Sequence, residues 1–162
     1  MSDAVSNDFR TAMRRLATTV SVISVERDDQ RNAMTATAVT SLSMDPPSLL
    51  VCVNSRTKFH GILSASDLFC VNILHEHQHP FSNIFAKPVS DEEFKSVTWS
   101  HFGDYCYLPN SQASVMCRKA GEMTFGTHTI FIGTVENVVL RDDSAPLIFH
   151  DGKYGRCSPF ED

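Results

Sequence analysis

Two strand-forming runs lie back to back between residues 33 and 54, parted only by Met44-Asp45-Pro46-Pro47. The first, Ala33 to Ser43, reads Ala-Met-Thr-Ala-Thr-Ala-Val-Thr-Ser-Leu-Ser and is almost free of bulky side chains. The second, Ser48 to Asn54, is nearly all apolar, and a short apolar run bounded by turn residues predicts a strand buried on both faces. Proline cannot donate to a ladder, so the Pro-Pro pair stops the first strand. No helix fits between the two, and the chain has no regular alternation of strand and helix.

The rest of the pattern agrees. Asn7 can cap a helix whose apolar positions Phe9, Ala12, Met13 and Leu16 fall at i, i+3, i+4 and i+7. Thr18 to Val25 is β-branched and predicts a strand, and Leu68 to Leu74 a buried one. Short helices are predicted over Thr57–Ser64 and His79–Lys87. Pro88 to Asn110 is the least patterned stretch, with a capping signature at Ser90-Asp91-Glu92-Glu93 and Trp99 as an anchor. Ala113–Arg118 and Thr129–Leu140 return to strand, with Gly133 as a bulge or close-approach point. Pro146–Phe149 forms a last strand before the Asp151-Gly152 turn dipeptide. Six or seven strands, few short helices and no G-x-G-x-x-G predict a mainly β fold, a closed or split antiparallel barrel, as one domain over residues 1–162.

Bulk properties exclude some classes. A net charge of −5 and a pI near 5.7 argue against a nucleic-acid binder that works by neutralising phosphates. The N-terminal residues lack the basic and apolar regions of a signal peptide, and no apolar run approaches a membrane span. Five cysteines without close pairing predict reduced thiols in a cytoplasmic protein. His75, His77 and His79 would share a face in an extended chain. No carboxylate or cysteine stands at ligand spacing, so a solvated turn is expected there and no metal.

A strand of small residues lets a flat ligand approach the main chain, whose N–H and C=O groups can read its polar edge. Downstream, Asn54, Ser55, Arg56 and Thr57 lie between a strand and a helix start, where amides, hydroxyls and the positive helix end suit an anion. The same residues also make a plain helix cap. A ligand wide and apolar in the middle with an anionic tail fits both features, and a flavin nucleotide has that shape. Alone, His128 reads as a satisfied core histidine and Tyr154 as a plug of the barrel end.

In order along the chain, Phe9-Arg10-x-Ala12-Met13, Ala33 to Val39, Asp45-Pro46-Pro47-x-Leu49 to Asn54, Phe69 to Leu74, Gln78…Phe85-Ala86, Gly126-Thr127-His128 and Pro146 to Phe149…Tyr154 resemble the short-chain flavin reductases. These are the NAD(P)H-dependent partners of two-component flavin monooxygenases. The resemblance implies an FMN-binding split barrel of Greek-key type. It also implies a homodimer with the flavin in a groove near the dimer interface, and hydride delivery from reduced nicotinamide to flavin N5. It places Thr35, Ala36, Thr37, Ala38, Val39, Thr40 and Ser41 along the flavin ring and ribityl chain. Asn54, Ser55, Arg56 and Thr57 would lie at its phosphate, and Gln78 and Phe85 would flank it. His128 would stand beside the nicotinamide, and Tyr154 would stack on or shield that ring. Many members carry Asp where this chain has Thr127, and often Gly where it has Thr19. A reductase of a corrin or other acceptor, and a flavin carrier without turnover, stay open, as do FMN against FAD and NADH against NADPH.

Overall fold

The computed structural model describes residues 3–28, 30–158 and 160. In chain order the elements are α1 (Asp3–Arg14), β1 (Thr18–Thr19), β2 (Ser21–Arg27), β3 (Gln30–Ala36), β4 (Val39–Met44), β5 (Pro47–Asn54), α2 (Lys58–Ala65) and β6 (Leu68–Ile73). A single 3₁₀ turn, Glu76–Gln78, leads into α3 (His79–Phe85) and α4 (Asp91–Ser96). Then come β7 (Ser100–Phe102), β8 (Tyr105–Tyr107), β9 (Ala113–Phe125), β10 (His128–Leu140), β11 (Leu147–His150) and β12 (Lys153–Arg156).

Seven strands form one antiparallel sheet in the order β3-β2-β6-β9-β10-β5-β4. Its two edge strands, β3 and β4, are consecutive in sequence, so the sheet curls until Thr37-Ala38 joins one edge to the other. The predicted single strand over residues 33–43 is therefore two. The main chain must leave one edge before it can serve the other, and among the described residues the link is tied through the Ala38 carbonyl, which accepts from Cys52 N at 3.1 Å. Residues 18–25 divide for a similar reason. Val20 donates to Leu147 O and accepts from Leu74 N, both at 2.9 Å, so the chain changes partners at that residue. β1 thus joins a small sheet, β1-β11-β12, whose β11–β12 turn carries Asp151 and Gly152 at φ of 47° and 77°.

Inside the barrel Val51, Val53, Phe69 and Phe131 pack with Phe59 and Leu63 of α2. Each such side chain contributes about 1.5–3 kcal/mol by leaving water. A second core gathers Phe85, Phe94 and Trp99, with the last two stacked at 4.5 Å. Trp99 is indeed an anchor, its indole N–H donating to Phe94 O at 3.0 Å. Ser90 caps α4 as expected, and its main-chain N–H, then Lys87, hold the Glu93 carboxyl down to about 2. One polar side chain is spent wholly inside. Asn72 donates to Val22 O and Ser24 Oγ and accepts from Leu108 N and Ser114 Oγ, at 2.8–3.1 Å. It ties β2, β6 and β9 with no amide capacity left over.

Gly133 is both a register shift and a close approach. A Cβ there would lie 2.5 Å from Phe69 Cζ and 2.7 Å from Cys117 Cβ. Three expectations need correction. α1 starts at Asp3, so Asn7 lies inside it rather than capping it, and Phe9, Met13 and Leu16 all stay exposed. β5 is buried on one face only: Leu49, Val51 and Val53 point inward, while Leu50 and Cys52 are half-exposed outside. The three histidines are not on an extended chain. His75 caps the 3₁₀ turn and is buried, its Nε2 3.2 Å from Asp143 Oδ2, while His77 faces solvent. The weakly patterned stretch also holds the β7–β8 hairpin, which the sequence reading does not resolve.

Candidate functional site

β5 and β10 pair so that Asn54 stands opposite His128, and His128 opposite Phe125 of β9. Residues directly opposite share a face. His128 therefore lies on the outer face together with Ile130, Ile132, Leu50, Cys52, Met123 and Phe125. All of these are half-buried or exposed, with Phe125 at 83 %. The strand ends also bring two predicted groups together. Ser55 donates to Thr127 O from its main-chain N (3.0 Å) and its hydroxyl (3.1 Å). The Asn54–Thr57 turn and the Gly126–His128 corner are thus one unit.

Inside that unit most of the predicted anion donors are already spent. Asn54 Oδ1 accepts from Arg56 N (3.0 Å), and Thr57 donates to Asn54 O from both its N (3.2 Å) and its hydroxyl (2.9 Å). Thr57 Oγ1 also accepts from His60 N, capping α2. What remains for an anion is the exposed Arg56 guanidinium and the Lys58 and Phe59 amides, which in a helix's first turn have no carbonyl behind them. The cap reading holds, since Thr57 builds the helix end, and an anion would have only the Arg56 side chain and the next two amides to meet.

A cavity of about 310 Å³ opens beside this helix end. Thr35, Arg56, Thr57 and Phe85, all predicted site residues, line it, along with Asn32, Lys58 and the Ala86–Val89 segment. Val39, Thr40 and Ser41 line a second, largely apolar hollow of about 300 Å³, with Leu49, Val71 and Val115. Thr37 and Ala38 are exposed on the link between the two, while Ala36 is buried. The predicted flavin-facing run thus borders both cavities.

Tyr154 lines neither of these two cavities. Its hydroxyl is 2.6 Å from Ser82 Oγ, and Ser82 O accepts from Thr35 Oγ1 at 2.8 Å. Its ring meets His79 edge-on at 4.5 Å and Phe149 at 5.3 Å. Ser82, fully buried, thereby fixes both Thr35 and Tyr154, a role visible in sequence only as one polar residue in an apolar helix stripe. Gln78 is buried, donating to Pro109 O and accepting from His75 N, both at 3.0 Å, so its amide holds the loop. Phe85 is buried against Trp99 and walls the first cavity. His128 Nδ1 is 3.0 Å from Thr127 Oγ1. A hydroxyl can donate or accept here, whereas a carboxylate would hold Nδ1 as the protonated nitrogen.

Among the described residues no cluster of three or more metal-ligating side chains occurs. A cationic helix end, an adjoining small-residue edge and two cavities suit a molecule with an aromatic ring system and a phosphate tail. The comparisons point the same way. Residues 13–158 match the flavin reductase like domain. The reductase component of an FADH(2)-dependent resorcinol hydroxylase from Rhizobium sp. (strain MTP-10005) is 43% identical over 161 residues, spanning 97% of this chain and 90% of that protein. FMN reductase (NADH) RutF of Stutzerimonas stutzeri (strain A1501) is 36% identical, spanning 93% of this chain and 87% of its own length. The structure of the Streptomyces globisporus C-1027 NADH:FAD oxidoreductase SgcE6 with NAD and FAD fragments superposes with a TM-score of 0.90 at 26% identity. It covers 100% of this chain, which spans 98% of that one.

Proposed function

This chain belongs to the flavin reductase like domain family, and from that premise we propose the roles of its residues in an NADH-dependent flavin reductase. The activity supplies reduced FMN or FAD to a partner monooxygenase component. A flavin held here would supply the hydride-accepting chemistry. The chain itself contributes binding and alignment.

The observation that carries the site assignment is the Ser55–Thr127 link, which fixes the distance between the helix-end anion site and the His128 corner. Arg56 and the Lys58 and Phe59 amides hold the flavin phosphate. The Thr35–Ser41 run lies along the ring, reading it through main-chain groups, because the Thr35 hydroxyl is engaged by Ser82. His128, exposed and with no partner at Nε2 among the described residues, places the nicotinamide by hydrogen bonding. Tyr154, held by Ser82 and His79, shields it from water.

The outer face of β5, β10 and β9 supports a homodimer. Leu50, Cys52, Ile130, Ile132, Met123 and Phe125 form an apolar surface around His128 and Asn54, and a second copy laid on it would bury both the patch and one wall of the site. This also accounts for the half-exposed outer side of β5. Five free thiols suit a reducing compartment, the cytoplasm in our reading, and no described helix is long and apolar enough to cross a membrane.

The test follows NADH and NADPH oxidation at the nicotinamide absorbance, with and without FMN or FAD. Oxidation that requires added flavin is the expected result. Clear flavin binding without oxidation would leave a carrier. Oxidation only with a corrin or another acceptor would reassign the product.

A further inference from the structure

The β9–β10 corner holds one side chain that the roles above leave unused. Phe125 and His128 pair directly, so a two-residue turn, Gly126-Thr127, joins the strands, with Gly126 at a φ of 59°. A positive φ at the first central residue suits glycine and matches the twist of the flanking strands. Thr127 follows, and its carbonyl accepts from the main-chain N and the hydroxyl of Ser55, at 3.0 and 3.1 Å. The residue is thus held on its main chain, and its β-branched side chain has few χ1 settings. In the one it adopts, Oγ1 lies 3.0 Å from His128 Nδ1, and among the described residues neither atom has another partner. The direction of this bond fixes what the far side of the ring can do. A neutral imidazole carries one proton, on Nδ1 or on Nε2. Where Thr127 donates to Nδ1, the ring proton sits on Nε2 and points outward as a donor; where it accepts, Nε2 is a lone pair. Donation is favoured, because the ring nitrogen is the more basic of the two atoms and no described carbonyl or carboxylate competes for the hydroxyl proton.

We propose that Thr127 is a positioning residue that keeps His128 in its Nε2–H form, so that His128 donates to the carbonyl oxygen of the nicotinamide carboxamide. The inference rests on the reading of His128 as the nicotinamide's neighbour, and adds which half of the carboxamide is read. That group offers an acceptor oxygen and a donor nitrogen, and a fixed donor beside it selects one of its two orientations. The Thr127–His128 bond is exposed in the free chain. It gains weight once a nicotinamide covers the corner and excludes water.

Turnover of NADH at saturating flavin tests this in Thr127→Val, Thr127→Ser, His128→Ala and the double variant of Thr127→Val with His128→Ala. Thr127→Val removes the hydroxyl at nearly constant shape. It should lower kcat/KM for NADH about threefold to tenfold, the loss expected of one hydrogen bond, with the flavin Kd unchanged. Thr127→Ser should recover most of that loss. Because Thr127 acts through His128, adding Thr127→Val to His128→Ala should cost nothing further, and an equal loss in both backgrounds overturns the proposal. The reduced 3-acetylpyridine analogue of NADH keeps the carbonyl oxygen and carries a methyl group in place of the amide nitrogen. His128→Ala should cost as much with this analogue as with NADH. A loss that disappears with the analogue would mean that the ring accepts from the amide, and overturns the assignment. Long-range proton–nitrogen NMR at about pH 8, above the ordinary histidine range, reads the ring without turnover. Wild-type His128 should carry its proton on Nε2, and Thr127→Asp, whose carboxylate can only accept, should place one on Nδ1. A proton on Nδ1 in the wild type overturns the proposal even if every variant is inactive. Turnover indifferent to His128→Ala, or no flavin-dependent NADH oxidation at all, would instead sink the reading on which the proposal stands.

Discussion

Gly133→Ala offers a direct test of how tightly the barrel closes over its core. The added Cβ would sit 2.5 Å from Phe69 Cζ, 2.9 Å from Phe69 Cε1 and 2.7 Å from Cys117 Cβ. Carbon atoms settle at about 3.5–4.0 Å, so three contacts overlap by roughly 1 Å each. Phe69 is 1% exposed and Cys117 fully buried, and both belong to the main core, so neither can swing into solvent. Overpacking a rigid core costs about 1–3 kcal/mol, and the fixed Cys117 Cβ puts this case at the upper end, about 3 kcal/mol. For a domain of this size that corresponds to a loss of about 6–12 °C in Tm. Thermal and urea melts should be run without flavin and at one protein concentration, because ligand and partner copies both shift the midpoint. Phe69→Leu removes the ring tip that occupies the space over Gly133. The double variant should therefore lose about 1–2 kcal/mol less than the two single losses added together. A Gly133→Ala variant within about 0.5 kcal/mol of wild type would refute the packing argument, as would strict additivity.

Three further outcomes are expected. Arg56→Ala should raise the Kd for FMN about tenfold while leaving riboflavin unchanged, since an exposed charge-assisted contact contributes about 1–2 kcal/mol; equal loss for both would remove Arg56 from the phosphate. His128→Ala should lower kcat with NADH by about tenfold or more with flavin affinity intact, and a matching fall in flavin binding would make His128 structural. Burial pushes the thiols of Cys106 and Cys117 up to about 12 and Cys70 well above its ordinary range. The folded chain keeps these protons to higher pH than the unfolded chain, so this contribution to stability is full below about pH 8.5 and falls as pH rises toward 12, by about 1.4 kcal/mol per pH unit per thiol. A thiol reagent at pH 8 should accordingly modify exposed Cys157 first, then Cys52, and the other three only on unfolding; rapid modification of all five would contradict the burial.

Much of the strand pattern is legible in the sequence because a run such as Leu68–Leu74 or Ser48–Asn54 signals its state through its own residues. Partner choice is not written locally. Val20 and Thr37 sit in good strand sequence, yet the chain changes partners at one and crosses between sheet edges at the other. The helix-end site shows a similar split. Asn54, Ser55 and Thr57 are recognisable as capping residues, but only the fold reveals that their hydrogen-bonding groups are used on one another, on Arg56 N and on Thr127, leaving the Arg56 side chain without a partner among the described residues. His75 looks like a surface histidine until Asp143 is brought to it from a distant loop.

The Thr37-Ala38 link has a mechanical consequence. Six neighbour relations in the large sheet are ladders of rungs that open and reform one at a time, whereas the seam between β3 and β4 is spanned by covalent backbone. Both residues are exposed and lie outside the strands, within reach of a protease. One nick there would leave every ladder in place and let the barrel spread, so the circular dichroism would persist while the ligand groove lost its width. The groove's dimension thus depends on the length of a tether as well as on the core packing of Ala36, Val39 and Val51 beneath it.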